Sequence, residues 1–400
     1  MVDRSILYAT AFLRALATGM VAVVLAAHLA SLGFRVENVG YVVAAGLAGN
    51  AAALLGVTIL AGRVDRKVAL IVLGVSWTAG ALVTAVASSA VIITAAAFLG
   101  MLNGAGRDRG GALALEQAAL PATTTDSQRT RTFAWYNVLQ DVGHALGALL
   151  GGLPALLERA SALSPMDAYR VTLGVYVACA VLSLALYTRL SSLRAGGTEK
   201  AAALSPQTRR VLVRISALFA LDSLGGGFLT TALLSYFFFE RFGASQAIVA
   251  VLFFAARVAN ALSHVGAAML ARRIGLVNTM VLTHLPSSFL LLTVAIAPSF
   301  PVAAALFLVR EGLVEMDVPT RQSYVMALVR PEERAVASGM TNLVRMAGWA
   351  VAPLVAGVLM QRSSLTAPLV AGALMKIGYD VLLYRGFRSV RPPEEASTSA

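Results

Sequence analysis

The sequence predicts an all-α membrane protein of twelve transmembrane helices in two related six-helix halves, and three observations carry that prediction. The first is composition. Of 400 residues, 58% are hydrophobic and 13% charged, and the mean hydropathy is +0.77. Soluble domains carry roughly 25% charged residues, so this chain lacks the polar side chains to cover a water-facing surface. The second is length: apolar runs of about 20 residues recur along the chain, enough to cross a bilayer as helix. The short alternating segments of an outer-membrane barrel are not seen. The third is an internal repeat, in which the second half retraces the first.

The spans fall at 6–32, 39–61, 68–87, 90–118, 132–153, 169–190, 213–239, 245–271, 276–297, 301–328, 335–361 and 365–385. The first begins after Arg4 like a signal peptide. Its apolar stretch runs to Leu32 without the small residues of a cleavage site, so it is expected to be retained. The basic turn "GRVDRK" separates spans 2 and 3. Span 4 starts at Ala90 and must absorb "NGAGRDRGGALALEQ" (103–117), with three consecutive charges. The one cysteine, Cys179 in span 6, excludes an internal disulfide. A Gly-, Ser- and Pro-containing segment at 191–212 divides residues 1–190 from 213–386, and residues 387–400 read as a disordered tail.

Charge fixes the expected orientation. With the N-terminus inside, nineteen Lys and Arg residues face the cytoplasm, and only Arg35, Arg159, Arg241 and Arg362 lie outside. The positive-inside rule then puts both termini and the 191–212 loop in the cytoplasm of an inner (plasma) membrane protein. The net charge of +12 is explained by anionic inner-leaflet lipid. Nucleic acid is not the expected partner, because no clustered basic face with reading elements is present.

Sliding the second half by about 208 residues aligns four segments in order. "FLRALATG" (12–19) falls on "FALDSLGGG" (219–227), pairing Arg14 with Asp222. "LAGRVDRKVAL" (60–70) falls near "LARRIGLVNTM" (270–280). "FLGMLNGAGRDRGG" (98–111) falls on "FLVREGLVEMDVPT" (307–320), pairing Asp108 with Asp317. "WYNVLQDVGHALGALLGG" (135–152) falls on "MTNLVRMAGWAVAPLVAG" (340–357), pairing Asn137 with Asn342, Gln140 with Arg345 and His144 with Trp349. Parallel repeats of this kind place a substrate site near the midplane, between the halves.

With its 6+6 spans, central inside loop and basic turn after span 2, the chain resembles the major facilitator superfamily. The resemblance covers nearly the whole length. That family's loop motif, Gly-x-x-x-Asp-Arg-x-Gly-Arg-Arg, is present only in part, as Gly62, Asp65, Arg66 and Lys67. The resemblance implies a secondary transporter that alternates between inward- and outward-open states. It also implies a gating role for Asp65, Arg66 and Lys67, with Asp65 capping span 11 when the inner side closes. Export is the direction it favours.

Charge inside a bilayer costs about 2.5–3.5 kcal/mol or more per residue at the centre, so it faces a wet cavity or a partner. The aligned span 10 places Arg107, Asp108 and Arg109 inside span 4, where Arg107 and Arg109 would lie about 200° apart on a helix. Asn137, Gln140, Asp141 and His144 form one stripe of span 5, and Asn342, Arg345 and Trp349 the equivalent stripe of span 11. With Arg14 and Arg257, the residues Asn137, Gln140, His144, Asn342, Arg345 and Trp349 are the candidate substrate contacts. Asp108, Asp141, Asp222, Glu315 and Asp317 are the candidate proton carriers. Arg107, Arg109, Glu116, Arg310 and Arg321 read as salt-bridge or gate residues, with structural pairing weighed equally against ligand contact. His28, His264 and His284 stand isolated and read as packing residues.

Other classes fit less well. "GAGRDRG" follows no strand and lacks the lysine of a phosphate loop. No hydrolase, metal or cofactor motif is present, and no ATPase module, so neither enzyme activity nor a cofactor is expected. The expected partners are a small-molecule substrate, a proton as co-ion and the bilayer, with the chain acting as a monomer. The arginines suggest an anionic or zwitterionic substrate. The acids leave a proton/drug antiporter for cations open, and a transport-inactive sensor or scaffold is the rival from another class.

Overall fold

A backbone in lipid has to satisfy its own N–H and C=O groups, which is why the apolar runs fold as helices. The computed structural model describes residues 2–60, 63–108, 110–124, 129–160, 163–191, 205–317, 320–321, 324–325, 329 and 333–388. In chain order the helices are α1 (Val2–Ser31), α2 (Val36–Ile59), α3 (Arg66–Val86), α4 (Ala90–Leu99), α5 (Gly111–Ala119), α6 (Arg129–Leu150), α7 (Leu153–Ala160) and α8 (Pro165–Thr188). They continue as α9 (Pro206–Gly227), α10 (Thr231–Phe242), α11 (Gln246–Ile274), α12 (Leu276–Ala295), α13 (Phe300–Val314), α14 (Arg334–Arg362) and α15 (Ala367–Phe387). Among the described residues, nine helical segments are long and apolar enough to cross a membrane. Gly62, Arg109, most of the 191–212 segment and residues 389–400 lie outside the described residues.

Two expected spans are interrupted. Span 4 is not one helix: α4 stops at Leu99 and α5 starts at Gly111. The stretch between them carries Gly100, Gly104, Gly106 and Gly110, a poor composition for helix. Met101 and Gly106 have φ of 53° and 79°, values no helix accommodates. The helical placement of Arg107 and Asp108 is therefore corrected: they sit in a break inside span 4, between two of its helical pieces. Span 7 is likewise divided, with α9 ending at Gly227 and α10 capped by Thr230, whose Oγ1 accepts from Leu233 N.

The chain forms two compact units. The first joins Met1–Thr198 to Thr230–Phe254 and Pro353–Leu365; the second comprises Glu199–Leu229, Ala255–Ala352 and Thr366–Ala400. In the first unit α1 packs along α6 and α8, α2 on α4, and α3 on α8. The segment 230–254 packs there too: α10 lies on α1 and α2, and Gln246 Nε2 donates to Val23 O and Gly151 O at 3.2 and 2.9 Å. In the second unit α12 packs on α13 and α15, and α15 on α9.

The repeat is visible atom by atom. A Cβ on Gly143 of α6 would meet Ala15 Cβ at 2.8 Å, Phe12 O at 2.8 Å and Leu16 N at 3.2 Å. A Cβ on Gly348 of α14 would meet Ser223 Cβ at 2.8 Å, Ala220 O at 3.3 Å and Leu224 N at 3.1 Å. Each partner in the second set stands 208 residues after its counterpart in the first. Both contacts need backbone-to-backbone approach, as small residues permit between membrane helices.

Enlarging either residue should therefore cost stability. Gly143→Leu and Gly348→Leu are each expected to destabilise by about 1–3 kcal/mol or more. Gly56→Ala, in a helix where a Cβ meets nothing within 4 Å, should be neutral or stabilising. Thermal unfolding in detergent checks all three.

Candidate functional site

The first unit holds a buried polar cluster around Arg14 of α1, which is 6% exposed. Its Nε donates to Asp108 Oδ2 at 2.8 Å, and its Nη1 pairs with Glu116 Oε1 of α5. Glu116 is wholly buried. It also accepts from Thr10 Oγ1 at 2.6 Å, Tyr187 Oη at 2.7 Å and Tyr136 Oη at 2.7 Å. One guanidinium thus serves two carboxylates, and three hydroxyls complete the shell of the deeper one.

The break in span 4 delivers Asp108 to this cluster, and side chains replace the hydrogen bonds that the missing helix would have made. Asn50 Nδ2 donates to Met101 O at 2.7 Å and to Gly46 O at 3.0 Å. Asn103 Oδ1 accepts from Ala105 N at 3.0 Å, and its Nδ2 donates to Arg107 O at 2.6 Å. Asp108 N donates to His144 Nε2 at 3.0 Å, which assigns the imidazole proton to Nδ1. Gly104 O accepts from Ala232 N at 3.1 Å and Ala105 O from Thr231 Oγ1 at 3.2 Å. The break in span 4 and the start of α10 therefore satisfy each other's open groups. Beside them lies a cavity of about 50 Å³, lined by Arg14, Asn50, Trp77, Asn103, Asp108, Tyr176 and Tyr187 among others.

The second unit holds the counterpart. Arg321 Nη1 donates to Asp317 Oδ2 at 2.6 Å and to Asp222 Oδ2 at 3.1 Å, while its guanidinium lies 5.4 Å from the Phe219 ring centre. Lys376 Nζ of α15 donates to Asp222 Oδ1 at 2.9 Å and stands 3.2 Å from His284 Nε2. His284 Nδ1 is 2.9 Å from Asp380 Oδ1. Arg345 is the loosest member: its Nη2 reaches Asp222 Oδ2 only at 4.0 Å, and its Nε has no hydrogen-bond partner among the described residues.

The expected site residues are thus sorted. Arg14, Asp108, Glu116 and His144 meet in one cluster, and Asp222, Asp317, Arg321 and Arg345 in the other. On α6, Gln140 is buried, with no hydrogen-bond partner for its amide nitrogen among the described residues, whereas Asn137 and Asp141 are exposed. On α14, Asn342 is exposed and Trp349 half-buried; Arg257 and Arg107 are half-buried. Arg310 pairs with its neighbour Glu311, which also accepts from Asn260 Nδ2 at 3.0 Å, so it does not join Asp317 and Arg321. Glu315 caps the end of α13. Asp65 accepts from Lys67 N at 2.8 Å and so caps α3, its own helix, in this state; Arg66 Nη1 donates to Ala118 O at 2.8 Å.

Sequence reasoning missed Lys376, Asp380, Asn50, Tyr136 and Tyr187, and read His284 as isolated. Lys376 and Asp380 stand four apart in an otherwise apolar span, the spacing that puts them on one helical face. That signal was available. The tyrosines and Asn50 carried none, since their types also suit packing.

Two six-span repeats with paired charge held inside the helices define a membrane carrier of small molecules. The family profile of the Major Facilitator Superfamily matches residues 7–353, and the chain belongs to that family. Its members are typically not enzymes. A membrane protein of Saccharomyces cerevisiae described as uncharacterized is 22% identical over 89% of this chain and 88% of its own length. Among solved structures, the nucleoside transporter NupG superposes with a TM-score of 0.74 at 14% identity, over 97% of this chain and 99% of that one. A D-xylose–proton symporter gives 0.74 at 14% identity over 96% and 97%. A bacterial homologue of the iron transporter ferroportin gives 0.75 at 12% identity over 96% and 98%. At such identities these likenesses show the fold alone. The protein is a multi-pass secondary transporter of a small molecule.

Removing Arg14 should leave two buried carboxylates without their cation. Arg14→Met is expected to destabilise by about 3–5 kcal/mol. The double variant Arg14→Met/Glu116→Gln should recover part of that loss, since an uncharged amide no longer needs the cation. Detergent melts of both variants measure the difference.

Proposed function

We propose that this transporter, acting as a monomer in the inner (plasma) membrane with both termini cytoplasmic, exports a small anionic or zwitterionic organic molecule by alternating access coupled to protons. The observation that carries the coupling is Arg14 held between two carboxylates in unequal surroundings. Glu116 keeps three hydroxyl donors besides Arg14. Asp108 edges the cavity, and its other side-chain partner is Gly110 N at 3.3 Å. If Arg14 turns wholly to Glu116 during the transport cycle, Asp108 loses its cation, and a proton from the cavity restores neutrality. The return of Arg14 expels it. Asp317, the repeat-related acid, shares Arg321 with Asp222 in the same manner.

Substrate charge is read from Arg345. Arg14 is occupied by Asp108 and Glu116, which moves it from substrate contact to coupling. Arg345 is the least neutralised cation of the second cluster, with a side chain 19% exposed. It is the arginine with capacity left for a carboxylate or phosphate.

A ligand-stability screen of purified protein across organic anions, amino acids, sugars and cationic drugs identifies a substrate. In proteoliposomes with that substrate, Asp108→Asn is expected to abolish accumulation driven by a pH gradient while keeping exchange at equal pH. Undiminished accumulation in the variant would move coupling away from Asp108. Orientation has its own check. In a Cys179→Ser background, Gly196→Cys and Ser399→Cys should resist an impermeant thiol reagent in intact cells, and ready labelling of either reverses the topology.

A further inference from the structure

The second cluster contains more titratable groups than an ion pair needs, and its charge balance is informative. Among the described residues its carboxylates are Asp222 of α9, Asp317 of span 10 and Asp380 of α15. Its permanent cations are Arg321 of span 10 and Arg345 of α14, which do not deprotonate in proteins. Two fixed positive charges against three negative ones leave one charge to be supplied. Two bases face that gap: Lys376 of α15 and His284 of α12, with Nζ and Nε2 3.2 Å apart. The Tyr379 ring closes the other side of the imidazole edge-on, 5.8 Å between centroids.

We propose that Lys376 and His284 hold one proton in common, and that the pair is a proton-binding site of the second unit, distinct from Arg14–Asp108. Its part in coupling rests on the proton-coupled reading above; the sharing itself does not. Three features of the geometry support it. The two nitrogens cannot both be protonated without setting two like charges 3.2 Å apart in a buried site. Asp222 Oδ1 lies 2.9 Å from Nζ and 3.7 Å from Nε2, so the proton has the same counterion on either base. His284 Nδ1 faces the Asp380 carboxylate at 2.9 and 3.0 Å, so its N–H is fixed there and Nε2 is the position that changes.

The step is a simple transfer. An N–H bond at Lys376 Nζ breaks as one at His284 Nε2 forms. The ammonium becomes an amine, the imidazole becomes an imidazolium, and the cluster's total charge is unchanged. The new Nε2–H points at the amine lone pair, so the contact survives with donor and acceptor exchanged. Turning Lys376 Nζ away from Asp222 would drive the transfer, and Asp380 would balance the imidazolium.

The test reads protonation states and needs no substrate. Protein with ¹⁵N in histidine side chains and lysine amines is placed in lipid nanodiscs, and His284 is assigned among the four histidines by the signal lost in His284→Gln. At pH 7 the unmodified protein should show a neutral, Nδ1-protonated His284 beside a charged Lys376. Lys376→Gln, whose amide cannot carry the charge, should turn His284 into an imidazolium at the same pH. Lys376→Arg, which carries the charge permanently, should restore the neutral ring. A His284 that stays neutral in Lys376→Gln overturns the proposal. Should that variant not fold, the unmodified protein still decides: at no pH from 6 to 8 should both groups be charged together, and finding both charged overturns the sharing. Undiminished proton-driven transport in Lys376→Gln, with the charge exchange intact, would count against the coupling reading alone.

Discussion

A polar group carried into the membrane costs free energy unless it finds a partner within the protein, and much of the first unit is organised by that requirement. The interruption of span 4 shows it most directly. Between Leu99 and Gly111 the described residues leave the helix, in a span where an open backbone is tolerated only against protein or a wet cavity. Asn50, Asn103, His144 and the first turn of α10 take up the exposed groups. The benefit of the break is positional. A continuous helix would fix Asp108 and Glu116 by helical phase, eight residues apart. The unwound segment frees Asp108 to approach Arg14 from a different side than Glu116 does.

The two units share their packing and differ in their charge. Gly143 and Gly348 contact the same three backbone or Cβ positions of α1 and α9, offset by 208 residues. Yet the repeat-aligned position next to these contacts carries Arg14 in one unit and Asp222 in the other. Around the arginine are two acids; around the aspartate are two arginines and a lysine. Packing fixes where a side chain of the repeat must point, because backbone approach leaves no slack. It does not fix the sign of the charge, only that the surrounding residues must neutralise it.

What was legible in the sequence follows the same division. The fold was read from apolar length and the repeat, since both are properties of many residues together. Arg14 with Asp222, and Asp108 with Asp317, were found because the repeat aligned them. The break after Leu99 was misread as helix, because hydrophobic length argued for a continuous span and tertiary hydrogen bonds decided otherwise. His284 was read as isolated because its partners, Lys376 and Asp380, lie 92 and 96 residues away. Their i, i+4 spacing in an apolar helix was the available clue. Tyr136 and Tyr187 are beyond sequence reasoning, since a buried tyrosine in a membrane helix is ordinary until its hydroxyl is seen on a carboxylate.

Water has a place beside one of the two clusters. The cavity next to Arg14 and Asp108 leaves water-sized groups about 50 Å³, so under the proposed coupling a proton can come to Asp108 through it. In the second unit the Lys376–His284 contact is buried, while Arg345 sits at the edge of its cluster, with no hydrogen-bond partner for its Nε among the described residues. Each cluster so keeps its titratable groups in a small, defined space. In the proposed mechanism the cargo acts on them through the arginines, drawing a guanidinium away from its carboxylate and leaving a proton to take its place.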